Sequence, residues 1–186
     1  NYFSSTLNNV SNSITSNINL VTKIYFPRLI LVISSLSVCI VDFLLSLLIF
    51  IFFSLLIGNP IQITFLLFPV ILLLISFFSI GLGLFFAANS IKYRDLQHVN
   101  PLIIQYGFFI TPVIYSVQSI NFKNYIELYY LLNPLVGIIE LGRFFFLQSY
   151  AVNFQHITLS IISSIIFLMV GIFIFIKKEN SFVDYL

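Results

Sequence analysis

Charge is scarce in this sequence. Asp, Glu, Lys and Arg make up only 8% of its 186 residues, against about 25% in an ordinary soluble domain. That excludes a soluble globular protein. It also excludes a disordered chain, which needs low hydrophobicity and high charge. A nucleic-acid-binding surface is excluded too, because the net charge is +2 and the eight basic residues form no run longer than Lys177-Lys178. Cys39 is the single cysteine, so it has no internal disulfide partner and says nothing about compartment.

Enzymatic signatures are missing as well. There is no Gly-x-x-x-x-Gly-Lys-Ser/Thr loop to cradle a nucleotide and no Gly-x-Ser-x-Gly elbow. His98 and His156 are far apart and lack Cys or carboxylate neighbours at metal-ligand spacing. Asp42, Asp95, Glu127, Glu140, Glu179 and Asp184 include no Asp-x-Asp pair of the kind a metal-dependent sugar transferase uses. The first residues, Asn1-Tyr2-Phe3-Ser4, have neither the basic nor the apolar region of a signal peptide. They suggest a fragment that has lost its beginning.

What the sequence has is apolar length. Hydrophobic residues make up 60% of it, and mean hydropathy is +1.09. The expected fold is an all-α, polytopic integral membrane bundle forming one transmembrane domain over residues 1–186. Residues 43–91 contain no Asp, Glu, Lys or Arg. As one helix they would run about 73 Å, over twice the ~30 Å hydrocarbon core. A turn at Gly58-Asn59-Pro60 divides them, giving spans at 29–57 and 61–88. Asn100-Pro101 reads as a cap followed by proline, opening a third span at 101–120 that Pro112 should kink or end near Thr111. Asn133-Pro134 opens a shorter apolar stretch, and 157–176 is a charge-free final span.

Residues 7–27 differ, being rich in Ser, Asn and Thr. Leu7, Val10, Ile14, Ile18, Val21 and Tyr25 recur at helical spacing. The pattern reads either as an interfacial amphipathic helix or as a polar loop with accidental periodicity. With Lys23 and Arg28 placed in the cytoplasm, Lys92 and Arg94 return there after the second span. If residues 135–147 crossed fully, Lys177-Lys178 would end outside. If that stretch dips in and returns, six of the eight basic residues lie inside. At about 21 Å it is also too short to cross. The expectation is a re-entrant outer element over 121–150, with a cytoplasmic C-terminus.

Several polar residues stand out against this background. Asp42 lies mid-span, where an ionised carboxylate costs about 2.5–3.5 kcal/mol. Its role is either in transport or in an interhelix hydrogen bond. Glu140 and Arg143 share a helix face and can pair, either to fix the dipping element or to gate it. Tyr93-Arg94-Asp95 is either a solvated loop or a docking element for a cytosolic partner. Residues 106–150 hold six of the ten tyrosines, Tyr106, Tyr115 and Tyr129 among them, with Phe108 and Phe109. These form either an interfacial belt or a lining on which sugar rings stack.

Four motifs in order carry a family resemblance. Lys23-Ile24-Tyr25-Phe26-Pro27-Arg28 resembles a K-x-x-F-P-R segment. Tyr93-Arg94-Asp95-Leu96 resembles a Y/F-R-D segment. Phe108-Phe109-Ile110-Thr111-Pro112-Val113-Ile114-Tyr115 is similar to F-F-x-S/T-P-V/I-x-Y. Leu132-Asn133-Pro134-Leu135 with Glu140 and Arg143 is similar to L-N-P-L/M…E…F/Y-R. Together they resemble ABC-2 type permeases that export polysaccharides.

The resemblance implies a half-transporter in the bacterial cytoplasmic membrane. It would pair with a copy of itself and be driven by two separate ATPase subunits, which would hold the ATP and Mg; no cofactor belongs to this chain. The cargo would be a lipid-linked polysaccharide: O-antigen, capsule or teichoic acid. Contacts to the ATPase would fall on Ser11, Asn17, Lys23, Tyr93, Arg94 and Asp95. Pro112, Tyr115, Asn133, Pro134, Glu140 and Arg143 would belong to an outer gate, and Asp42, Tyr106, Phe109 and Tyr129 are channel candidates. The resemblance further implies that the family's N-terminal amphipathic helix, first span and most of the second are missing here; tryptophan is absent from the sequence. Competing classes are a membrane-embedded lipid-linked sugar transferase or polymerase, a non-catalytic membrane scaffold, and an ABC-2 exporter of a drug or another lipid.

Overall fold

The computed structural model describes residues 1–24, 26–57, 68–117, 125–146, 152–179 and 182. The Gly58-Asn59-Pro60 turn, the first residues of the 61–88 span, Tyr25, Lys123 and Tyr150 lie outside them. Eight α-helices and no strand occur among the described residues: α1 (Tyr2–Asn12), α2 (Ile18–Lys23), α3 (Leu29–Leu56), α4 (Phe68–Ser90), α5 (Leu96–Ile110), α6 (Ile126–Leu132), α7 (Leu135–Phe146) and α8 (Phe154–Glu179). The all-α membrane bundle is thus observed. Three of the helices, α3, α4 and α8, are long and apolar enough to cross a membrane.

Two sequence expectations need correction. Residues 101–120 are not one span, because α5 begins at Leu96 and stops at Ile110. Thr111 precedes Pro112 and takes the extended conformation, φ −83° and ψ 137°, which is what the proline ring imposes on its neighbour. Asn100 is no cap either. It sits inside α5, beside the internal Pro101, and the residue before the helix is Asp95.

The 7–27 stripe also divides. Leu7, Val10 and Ile14 are fully buried, and α1 packs along α4, α3 and α5. This half of the stripe is bundle core rather than an interfacial face. Only α2 keeps the expected character, with Val21 buried and Lys23 exposed.

The bundle is organised around α4 and α8. One end of the pair is marked by Ile71 and Leu74 of α4 meeting Ile157 of α8. The other is marked by Leu84, Ala87 and Ala88 meeting Phe175. The two helices therefore run parallel. Both backbones approach closely because glycines face each other. A Cβ on Gly81 would lie 2.6 Å from the Leu168 backbone nitrogen, and one on Gly171 would lie 2.8 Å from Gly81 Cα. Small residues are what permits such proximity between membrane helices, where packing rather than water exclusion drives association. Gly83 does the same for α1, since a Cβ there would meet Val10 Cγ1 at 2.6 Å. By contrast, α3 packs extensively only on α1 among the described residues, and most of its apolar surface is exposed.

Gly171→Leu should destabilise the bundle by about 1–3 kcal/mol or more, the usual scale of overpacking, because the obstacle is backbone that has nowhere to move. Gly107→Ala, which meets nothing within 4 Å, should be neutral or stabilising. Thermal aggregation of the detergent-purified variants measures both.

Candidate functional site

Proline and asparagine break the backbone in two places, and the structure brings the breaks together. Helix α5 stops before Pro112, leaving its last carbonyls without helical partners. Helix α6 ends at Leu132, Asn133 follows as its cap, and α7 starts at Leu135. Orphan carbonyls in an apolar setting each cost several kcal/mol unless satisfied. Side chains from the second break, with Tyr115 just past the first, satisfy those of the first. The Tyr129 hydroxyl donates to the Ile110 carbonyl, and so does that of Tyr115, at 2.8 Å. Asn133 Nδ2 donates to Thr111 Oγ1 at 2.9 Å. Arg143 Nη2 donates to the carbonyls of Pro112 at 2.7 Å and Val113 at 3.0 Å. Its Nη1 is buried with no hydrogen-bond partner among the described residues.

Every residue assigned to the outer gate thus gathers at one cluster. Pro112 and Pro134 are buried within it. The expected partnership of Glu140 with Arg143 takes another form. Glu140, nearly fully buried, accepts the Tyr130 hydroxyl, while Arg143 serves the Pro112–Val113 turn. Helix α8 supports the cluster from behind. Ser160 donates to the Tyr130 carbonyl at 3.2 Å and Ser163 to the Leu131 carbonyl, so both cap the end of α6. Gly137 lets α7 reach the same serine, since a Cβ there would lie 2.6 Å from Ser160 Cβ. The His156 ring lies 4.9 Å from that of Tyr130.

In front of the cluster lies a cavity of about 580 Å³. Asp42 and Ser46 of α3, Tyr2 of α1, Phe108 of α5, and Thr111 and Val113 of the turn that follows α5 contribute to its wall. Asp42 therefore shares a cavity with Thr111 and Val113 at the first break. The other channel candidates are elsewhere: Tyr106 and Phe109 are exposed on α5, and Tyr129 is engaged at the α5 end.

The residues assigned to ATPase contact fall into three groups. Lys23, Tyr93, Arg94 and Asp95 are exposed. Asn17 is half-buried, and its amide donates to the Ser13 carbonyl at 2.9 Å. Ser11 is a correction, because it is buried at 1% exposure and receives a hydrogen bond from Asn100 Nδ2 at 2.6 Å. A side chain consumed by that α1–α5 contact is not available to a partner.

Sequence reasoning missed Ser160, Ser163, Tyr130 and Asn100. The signal for the serines was present: Ser160, Ser163, Ser164 and Gly171 form a small-residue stripe on one face of α8, the mark of a close helix contact.

The ABC-2 type transporter family model matches residues 1–147. The chain belongs to the ABC-2 type transporter family. Among curated proteins it is similar to the O-antigen export system permease protein RfbA of Myxococcus xanthus, 26% identical over 98% of this chain and 70% of that protein. An O-antigen export system permease protein RfbA from Klebsiella pneumoniae is 27% identical over 100% of this chain and 71% of that protein. The polysialic acid transport protein KpsM of Escherichia coli is 26% identical over 58% of this chain and 41% of that protein. As an ABC-2 family member, the chain is a multi-pass membrane permease subunit.

Tyr130→Phe keeps the ring but leaves the Glu140 carboxylate without that donor. It should destabilise the protein by about 1.5–3 kcal/mol, the scale of a hydrogen bond to a charged group. Thermal unfolding in detergent, compared with the exposed control Tyr125→Phe, measures it.

Proposed function

We propose that this ABC-2 permease exports a lipid-linked polysaccharide (O-antigen, capsular polysaccharide or teichoic acid) across the bacterial cytoplasmic membrane, as a homodimer driven by two separate ABC ATPase subunits. The observation that carries the substrate class is the match of virtually the whole chain to proteins named for O-antigen export. The geometry supplies a mechanism consistent with it. ATP and Mg bind on the partner subunits. The exposed α2 and the Tyr93-Arg94-Asp95 turn receive the motion of those subunits. The paired breaks at Pro112 and Asn133 form the outer gate, which opens when the side chains of Tyr129, Asn133 and Arg143 release the end of α5.

The parallel course of α4 and α8 supports the dipping assignment of residues 121–150. If α5 crosses outward and α6–α7 enter and return, α8 must run in the direction of α4. A full crossing by α7 would make the two helices antiparallel. At 12 residues, α7 is about 18 Å long, short of the ~30 Å apolar core. On this reading Lys92, Arg94, Lys177 and Lys178 share the cytoplasmic side, as the positive-inside rule favours. Asp42 lines the passage beside the gate, and an intramembrane carboxylate at a cavity is a common mark of a substrate path. Tyr106 and Phe109 are exposed in one chain and would meet sugar rings where two copies face each other.

Co-expression with a candidate ATPase tests the proposal. A tag on the ATPase alone should retrieve this chain from detergent, with ATPase activity in the complex and polysaccharide at the cell surface. Failure of two folded proteins to associate would remove the coupling assignment and favour a membrane transferase. Within a working complex, Arg94→Ala or Asp95→Ala should leave membrane insertion intact and uncouple ATP hydrolysis from export. Normal export by both variants would refute the role given to that turn.

A further inference from the structure

The end of α8 is fastened to two other elements at the same place. Arg28, at the start of α3, donates its backbone N–H to Glu179 Oε1 at 3.1 Å, and its guanidinium donates to the Glu179 carbonyl. The same guanidinium lies over the ring of Phe182, 5.3 Å from its centroid. Phe182 is 1% exposed and meets Phe175 edge-to-face at 5.5 Å. One residue before Glu179, Lys178 donates to Asn89 Oδ1 near the end of α4. Val21 of α2, Val32 of α3, Ile91 and Phe182 belong to one buried cluster.

The Glu179 carbonyl and the Phe182 ring together hold the guanidinium, and Glu179 Oε1 the backbone N–H, of the residue that precedes α3, five residues after α2 ends. The Lys178–Asn89 bond fixes the stretch that leads into Tyr93-Arg94-Asp95. Helix α8 is continuous from Phe154 to Glu179, and near its other end Ser160 and Ser163 hold the backbone of α6. A single rigid helix thus touches the anchors of both exposed segments at one end and the gate at the other.

We propose that Arg28, Glu179 and Phe182 form a positioning clamp that locks the α2–α3 corner to α8, so that displacement of α2 is delivered to the gate through α8. This rests on the export reading above. Nothing in the clamp touches cargo or nucleotide; it acts by fixing where α2 sits.

The test uses the full permease–ATPase complex in proteoliposomes, reading polysaccharide moved per ATP hydrolysed. Phe182→Ala and Arg28→Ala should leave the complex assembled and hydrolysing ATP, while that ratio falls about fivefold or more, the lower range of allosteric couplings. Arg28→Lys, which keeps the charge over the ring, should recover part of it. If Phe182→Ala is too unstable to purify, Phe182→Leu keeps apolar volume, removes the ring and makes the same comparison. A wild-type ratio in these variants would overturn the clamp. A second readout needs no transport: a spin label at Lys23→Cys in a Cys39→Ser chain should become more mobile when Phe182 is replaced. Unchanged mobility would refute the clamp even if the export reading stands. Increased mobility in a chain that binds no ATPase would leave the clamp standing and remove the export reading instead.

Discussion

Two backbones in van der Waals contact determine the rest of this structure. Gly81 and Gly171 let α4 and α8 approach until a single methyl group would collide with main chain. That contact fixes the register of the two longest mutual surfaces in the molecule and makes them parallel. Helix α1 then lies on α4 through Gly83, and α6 and α7 lie on α8 through Ser160, Ser163 and Gly137. In a bilayer no water is released when two apolar helices meet, so shape and buried hydrogen bonds must supply the association energy. The serines and glycines provide both.

The cluster at the two helix breaks follows from a second constraint, the need to satisfy every backbone polar group away from water. Pro112 ends α5 early and Asn133 separates α6 from α7, which opens several carbonyls at one depth. The chain answers with Tyr115, Tyr129, Asn133 and Arg143. Because Tyr129, Asn133 and Arg143 belong to a different segment from the groups they serve, the α5 end cannot move without the α6–α7 hairpin releasing it or moving too. A broken helix held by long polar side chains is easier to rearrange than a continuous one held by its own ladder. This is the local instability that switching elements require.

Much of this was legible in the sequence because it depends on local chemistry. The lack of charge gave the membrane class, and Pro112 and Asn133 marked the breaks. The motif around Glu140 and Arg143 pointed to the residues that gather there. What escaped was whatever depends on a tertiary neighbour. Asn100-Pro101 has the appearance of a cap, yet the tight turn at Tyr93-Arg94-Asp95 starts the helix earlier and Ser11 gives Asn100 an interior partner. Leu7, Val10 and Ile14 have the spacing of an interfacial stripe, and nothing in that spacing distinguishes a lipid headgroup from the α4 face that covers them. Glu140 and Arg143 can reach each other along a helix, but Tyr130 and the Pro112 carbonyl are provided by segments whose proximity no pairwise spacing reveals.

The sparse packing of α3 bears on how the protein is made. Twenty-one of its 28 residues are Leu, Ile, Val or Phe. Near a helix centre each contributes about −0.3 to −0.6 kcal/mol to insertion, against about +3 kcal/mol for Asp42. The helix therefore enters the bilayer on its own account, carboxylate included, before α4 and α8 have been synthesised. Assembly of the bundle is then a second event, in which α1 docks an already resident α3 while the α4–α8 pair closes around its glycines. Biogenesis and packing are separated along the chain, and Asp42 reaches the cavity wall by lateral association within the membrane.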